Sequence, residues 1–450
     1  MIEFIVIALF VILLLAYYTM GRNFSRPTIL YVSGFLACAI VAYNYKMEWG
    51  LNKMSSDTVL VIVGGALIFY LVELYDYRNH PFKQDDIDIA SDDFIPIKPL
   101  KLAAFLIFQI IVFALFAKSE MSYAMTDELS EAMATVNNDK KFEGMAIKHP
   151  VYIQQTFYIC MAARTLWCIL LPYYLFKSNK YRIHKLLIAM NFAVGMSGTV
   201  LTGGRTNVLF DLVSLAISGY ICYQYNVHWR GGLLPKRVMI ILTVVATVFT
   251  LSFVNLGTML GRKESEDPVS IILSIYCGAE IKNLDDYIQH PFQQGNERGL
   301  LAQYTLCGLY DEIDVRLGGE AGRGMNFPDL RFNSYGNYPL GNVYTTYFNY
   351  ILDFGTWGAT LFSGFMAWLC AYLYRKTVIS SLWSTGRLDL WLLFFVYKVP
   401  GACLLSFFSN KFFEDITVIG TFRTLVYWSI LIFLFQGKKE ATYAMSTLDE

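Results

Sequence analysis

Residues 341–358 read GNVYTTYFNYILDFGTWG, and within them the chain passes from a long polar region into an apolar run that continues to Tyr374. The polar region begins at Gly257, carries seven Lys/Arg residues, and is itself preceded by another apolar run. Working outward, apolar runs recur from one end of the chain to the other. Of the 450 residues, 55% are hydrophobic and 16% charged, against about 25% charged in an ordinary soluble domain. This is the composition of a chain that lives in a bilayer.

Lipid offers the backbone no hydrogen-bond partner, so these runs have to be helices, each needing about 20 residues to cross. Eleven stretches qualify: 2–20, 27–45, 58–75, 99–118, 151–176, 186–203, 206–223, 238–256, 345–374, 388–408 and 418–435. The predicted fold is therefore all-α, a polytopic integral membrane protein of about 11 transmembrane helices with one large outer loop containing short helices. It divides into a bundle of about eight helices over 1–256, the loop over 257–344, and about three helices over 345–450. The stretches 186–203 and 206–223 lie so close together that they form either a tight helical hairpin or broken helices. Ile2 to Tyr18 lacks a basic leader and a small-residue cleavage site, so it is expected to be the first span rather than a removable signal.

Orientation follows from the basic residues of the short connections. Arg22 and Arg26, then Lys177, Lys180, Arg182 and Lys185, then Arg230, Lys236 and Arg237, then Arg375, Lys376 and Arg387, and finally Lys438 and Lys439 fall on one side if the N-terminus is outside and the C-terminus inside. That places 119–150 and 257–344 on the outer side. Lys+Arg and Asp+Glu each total 36, so net charge gives no reason to expect a nucleic-acid partner. The eight cysteines stand singly, mostly in apolar runs, and are expected as buried small hydrophobes.

Several local clusters need a reading. Asp85, Asp86, Asp88, Asp92 and Asp93 crowd a short segment, but no second acidic cluster answers them, and a solvated linker is expected. The run 119–150 suits a surface helix. In LTGGRTNVLFDLV (201–213), Gly203 and Gly204 permit a sharp reversal between spans, and Arg205 at that depth needs a partner or an anionic ligand. Asp211, about two turns on, is placed to pair with a neighbouring helix. In the long loop, Pro268 can start a helix, and Val269 to Tyr276 is apolar but too short to span, which suggests a helix lying in or dipping into the outer leaflet. Beyond it come Arg298, Arg316, Arg323 and Arg331, with tyrosines at 304, 310, 335, 338, 344 and 347. Guanidinium forks suit phosphate oxygens, and tyrosines suit sugars or the interface. Inside the spans, Arg164, Asp353, Lys398 and Arg423 are charges that need a polar cavity or one another, such as Asp353 with Arg164 or Arg423.

With these residues in view, GGRTNVLF (203–210) and GNVYTTYFNYILDFGTWG (341–358) resemble the oligosaccharide repeat-unit polymerases of bacterial O-antigen and related surface polysaccharides. The matching positions are Gly204, Arg205, Asn342, Tyr344, Thr345, Asp353, Gly355 and Gly358. The resemblance implies a membrane glycosyltransferase at the periplasmic face of the inner membrane. Such enzymes transfer a growing glycan from undecaprenyl diphosphate to another lipid-linked repeat unit. It implies partners in undecaprenyl-diphosphate-linked oligosaccharides, the bilayer and a polysaccharide chain-length regulator, with no cofactor; that no metal is needed is expected separately, because the outer loop holds no DxD-like pair, Asp285 and Asp286 being adjacent. The catalytic set expected is Arg205, Arg298, Asp353 and His290; the set expected to hold diphosphate and substrate is Arg164, Arg316, Arg323, Arg331, Asn342, Tyr344, Thr345, Lys398 and Arg423. Glu280, Asp311 and Asp314 are further candidates for a general base. An O-antigen ligase and a flippase or transporter of the lipid-linked unit are the competing readings. The chain shows no inverted repeat of the kind transporters use.

Overall fold

The computed structural model describes residues 1–80, 97–142, 149–176, 181–202, 205–227, 269–317, 326–336 and 338–436. Its helices, in order, are α1 (Ile2–Thr19), α2 (Pro27–Asn44), α3 (Ser56–Asn79), α4 (Pro99–Ala124), α5 (Leu129–Phe142), α6 (Val151–Leu175), α7 (Arg182–Leu201) and α8 (Arg205–Asn226). After the undescribed stretch 228–268 come α9 (Val269–Cys277), α10 (Ala279–Gln289) and α11 (Cys307–Arg316). A two-stranded hairpin, β1 (Asn333–Tyr335) and β2 (Tyr338–Gly341), precedes α12 (Thr346–Val378), α13 (Ser381–Thr385), α14 (Leu390–Leu404), α15 (Lys411–Ile416) and α16 (Ile419–Gln436). Among the described residues, eight helices are long and apolar enough to cross a bilayer: α1 to α4, α6 to α8 and α16. They coincide with eight of the expected spans. The expected span 238–256 and the acidic run 85–93 lie outside the described residues.

Two expected spans take a different form. The stretch 345–374 is α12, but its helix is broken at Gly355, where φ is 67° and ψ 179°, a conformation open essentially to glycine alone. The stretch 388–408 shrinks to α14, 15 residues long. Asp389 caps its start by accepting the Leu392 N–H at 2.8 Å, and the chain leaves the helix in a turn at 405–408. The close pair 186–203 and 206–223 is two helices, α7 and α8, and the helix expected in 119–150 is α5.

The chain packs as two compact units. The first comprises Met1–Phe82, Asp267–Arg375 and Lys398–Thr421. In it α1 packs on α2 and both pack on α3. The buried side of α1 is Ile2, Ile5, Leu9, Ile12 and Ala16; its exposed side, Phe4, Ile7, Phe10, Val11, Leu14 and Leu15, is just as apolar. A helix with no polar face has lipid as its solvent. Close approaches set the packing: a Cβ on Gly34 of α2 would land on the Leu404 carbonyl oxygen, and one on Gly65 of α3 on the Tyr347 hydroxyl. Tyr31 stacks on Phe69 at 4.3 Å and donates its hydroxyl to Tyr347 at 2.8 Å, linking α2, α3 and α12.

The second unit comprises Lys83–Glu266, Lys376–Tyr397 and Phe422–Glu450. Its central helix is α6, buried without interruption from Ala162 to Leu170, as a helix packed on all sides must be. Around it stand α4, α7 and α8, and α16 ties in through Trp428, whose indole N–H donates to the Ala162 carbonyl at 3.0 Å. Phe113, Phe116, Phe157, Met133 and Leu201 form an apolar cluster between α4, α5, α6 and α7.

Candidate functional site

In the first unit the stretch between residues 269 and 345 is assembled on α9 and α10. Gly278 joins them where a side chain could not fit, since a Cβ there would lie 2.6 Å from Val41 of α2. Just beyond, the Glu280 carboxyl is fully buried and accepts the Cys38 thiol at 3.7 Å, about two turns in from the end of α2. Its other oxygen has no hydrogen-bond partner among the described residues. Burial pushes this carboxyl well above the usual carboxylate range.

The remaining polar residues of α10 are spent on neighbours. Asp285 accepts the Ser55 N–H at 2.8 Å and the Thr58 hydroxyl at 2.7 Å, holding the start of α3. Asn283 donates to the carbonyls of Leu340 (3.1 Å) and Val343 (2.8 Å), and Asn333 donates to Asn283 at 3.0 Å and Asp286 at 2.8 Å. Lys282 pairs with Asp286 and lies 5.0 Å from the Tyr335 ring. The β1–β2 hairpin is thus mounted on α10, with Tyr335 opposite Tyr338 across a turn that Gly336 enters at φ 58°.

Three of the expected arginines sit on the segment that follows. Arg298 pairs with Asp314 of α11 and donates to Asn326 at 3.1 Å. Asn326 in turn donates to Asp314 at 2.7 Å. The Asn326 hydrogen bond and then Arg298 hold the Asp314 carboxyl below its usual range. Gln303 accepts the Arg298 N–H at 2.9 Å and donates to the Asn296 carbonyl at 2.8 Å. Arg331 pairs with Asp329 at 3.2 Å, donates to the Gln293 carbonyl at 3.3 Å and lies 4.3 Å from the Phe292 ring. Arg316 is exposed and pairs with Glu312 at 3.6 Å. His290, just past α10, is also exposed.

The approach to α12 is tied to the same segment. Tyr344 donates its hydroxyl to the Arg331 carbonyl at 3.1 Å and stacks on Phe348 at 4.4 Å. Burial, with Asp286 and Asp329 adding to it, pushes this phenol up to about 12. Thr345 accepts the Tyr347 N–H at 3.2 Å, capping the first turn. Asn342 is half-buried between β2 and α12. Asp353 spends both oxygens on the arginine-bearing segment, accepting the Tyr304 N–H at 3.0 Å and the Thr305 N–H at 2.5 Å.

The other expected residues are elsewhere. Arg164 belongs to the second unit, where it pairs with Asp211 at 2.5 Å, donates to Thr199, and donates to the Met161 carbonyl at 3.2 Å. Asp211 does pair with a neighbouring helix, and the ions set against each other above, Asp353 and Arg164, each have a different partner. Arg423, also in the second unit, lies 3.6 Å from the centre of the Tyr158 ring. Lys398 is buried on α14. Arg205 opens α8, but its side chain, like Gly203, Gly204 and Arg323 entirely, lies outside the described part. Among the described residues no group of three His, Cys, Asp or Glu is placed to hold a metal ion.

Sequence reasoning missed Asn349, Asn410 and Gln303, all buried and all hydrogen-bonded within or to this segment. Asn349 had a signal: it lies one helical turn before Asp353, on the same face of α12. Asn410 had none. No protein-family model, no curated protein and no solved structure matches the chain.

Proposed function

We propose that this protein lengthens a bacterial surface glycan by moving a growing oligosaccharide from undecaprenyl diphosphate onto another lipid-linked repeat unit. On this reading the chain crosses the inner membrane eleven times, with its N-terminus in the periplasm and its C-terminus in the cytoplasm. The observation that carries the reading is the joining of the arginine-bearing segment to α12: Arg331 through Tyr344, and Arg298 through Gln303, Tyr304 and Asp353. Guanidinium groups are thereby held at the end of a helical membrane body, where a lipid diphosphate would present itself.

The donor carries its own diphosphate leaving group, so no nucleotide is needed. As the bond from the anomeric carbon to the bridging oxygen breaks, negative charge builds on the diphosphate, and fixed guanidinium groups stabilise it. Arg205 and Arg298 are assigned that role. The Arg298 side chain is 43% exposed beside Asp314, so an incoming diphosphate competes with one carboxylate. Tyr344 stays protonated at neutral pH and acts as a hydrogen-bond donor. Of the candidate bases, Glu280 is buried with its proton held more tightly than usual and Asp314 is held in an ion pair, which leaves His290, Asp311 and Asp353.

The test is purified protein in nanodiscs given a defined undecaprenyl-diphosphate repeat unit, without nucleotide sugar or ATP. A ladder of lengthened glycans is expected from the wild type, none from Arg205→Ala, and a loss of about 10²-fold from Arg298→Ala. Unaltered substrate with wild-type protein overturns the reading. Transfer only on addition of lipid A core identifies a ligase, and passage between leaflets without lengthening identifies a transporter.

A further inference from the structure

The four backbone polar groups of two consecutive residues, Tyr304 and Thr305, are all taken by side chains from distant segments. Asp353 accepts both N–H groups, as described above. Asn349, one turn earlier on α12, donates to the Tyr304 carbonyl at 2.7 Å, and Asn410, in the link between α14 and α15, donates to the Thr305 carbonyl at 2.9 Å. Asn410 is itself held, accepting the Thr346 hydroxyl at 3.4 Å, while the Thr346 N–H donates to the Ser406 carbonyl at 2.9 Å. Tyr304, Thr305, Asn349 and Asn410 are all buried. A buried peptide left without these partners would be costly.

The chain of hydrogen bonds continues outward. Gln303, next to the clamped peptide, bridges the Arg298 N–H and the Asn296 carbonyl, and the Tyr304 hydroxyl donates to the Asn296 side chain at 3.3 Å. Asn296 donates to the Phe327 carbonyl at 2.6 Å, on the strand of chain that leads to Arg331. The position of Arg298 is thus set through a continuous path that begins on α12 and at Asn410.

We infer that Asn349, Asp353 and Asn410 are positioning residues: together they clamp the Tyr304–Thr305 peptide, and through Gln303 and Asn296 they place Arg298. Asp353 then acts through the backbone and not as a proton acceptor for substrate. The clamp rests on geometry alone; its effect on glycosyl transfer rests on the function proposed above. Asn410 makes the two roles separable, because an amide cannot serve as a general base, yet it holds the same peptide.

The experiment compares wild type with Asn349→Ala, Asp353→Asn and Asn410→Ala, all as full chains in nanodiscs, by hydrogen exchange and by the elongation assay. Amides across 298–306 are expected to exchange about tenfold faster or more in each variant, with α1 and α2 unchanged as the control for folding. Elongation is expected to fall in all three with a raised KM, and the pH–rate profile to keep its wild-type shape. Asp353→Glu, which retains two acceptor oxygens, should recover part of the protection. Wild-type exchange across 298–306 in Asn349→Ala and Asn410→Ala overturns the clamp, whatever the substrate proves to be. Loss of the acidic limb of the pH profile in Asp353→Asn, with Asn410→Ala fully active, overturns the positioning role and makes Asp353 the base. If wild-type protein elongates nothing, the exchange measurement alone still decides the clamp.

Discussion

Breaking the Arg164–Asp211 pair tests whether the second unit depends on charge at the depth of its central helix. Both residues are 7% exposed, and the arginine also donates to Thr199 and to the Met161 carbonyl. Gly195 of α7 makes room for the arginine stem, since a Cβ there would lie 2.9 Å from its Cγ. Arg164→Met leaves Asp211 buried and unpaired, and Asp211→Asn leaves the guanidinium without its counter-ion. Removal of one partner from a buried pair costs about 3–5 kcal/mol, whereas side-chain hydrogen bonds between membrane helices average about 0.6 kcal/mol. The pair is nearly fully desolvated and charge-assisted, so the larger figure governs. The double variant carries no unpaired charge, so its loss should be well below the sum of the single losses, with a coupling of about 2 kcal/mol or more. Reversible unfolding in mixed detergent–SDS micelles, followed by tryptophan fluorescence, supplies the four free energies. Coupling within about 0.5 kcal/mol of zero refutes the argument. A stable double variant that still elongates glycans would also remove Arg164 from the substrate-binding set.

Three shorter predictions concern the first unit. Glu280 binds its proton more tightly in the folded protein than in the unfolded chain, so its contribution erodes stability as pH rises above the ordinary glutamate range near 4; Glu280→Gln should match wild type in acid and exceed it at neutral and alkaline pH, and parallel stability–pH curves would refute this. Gly34→Ala forces α2 away from the Leu404 carbonyl and should cost about 1–3 kcal/mol, seen as a lowered unfolding midpoint; a wild-type midpoint would place α14 elsewhere. Cys370 of α12 and Cys403 of α14 lie with their sulfurs 3.7 Å apart, so a membrane-permeant oxidant such as diamide should join them into a disulfide, detected as a linked peptide pair by mass spectrometry and absent from Cys370→Ala. Recovery of both peptides with free thiols after oxidation would contradict this contact.

The helices were legible because lipid imposes one simple demand, a sustained apolar run, and α1 to α4 and α6 to α8 meet it within a few residues of their expected ends. The ends of α14 were not, because they depend on a cap at Asp389 and a turn after Leu404 rather than on hydropathy. The β1–β2 hairpin escaped for a similar reason: strands of three and four residues carry too little periodicity to register. At the candidate site, residue types announced themselves but their partners did not. Asp211 could be expected to face another helix, yet nothing local names Arg164, 47 positions earlier. Asn410 meets Thr305 across 105 positions, and only the packed chain can bring those two together.

The break at Gly355 has a use as a depth gauge. A helix that loses its internal hydrogen bonds in hydrocarbon leaves backbone groups with nothing to bond, so such a break belongs where water reaches or where protein supplies the partners. Twenty residues further along α12 stands Arg375, paired with Asp76 at 2.6 Å. At 1.5 Å per residue the interval rises about 30 Å, the thickness of a bilayer's hydrocarbon layer. If α12 crosses the bilayer, as the eleven-span reading proposes, Gly355 and Arg375 fall at its two faces, and Asp353 and the peptide it holds lie just beyond one of them.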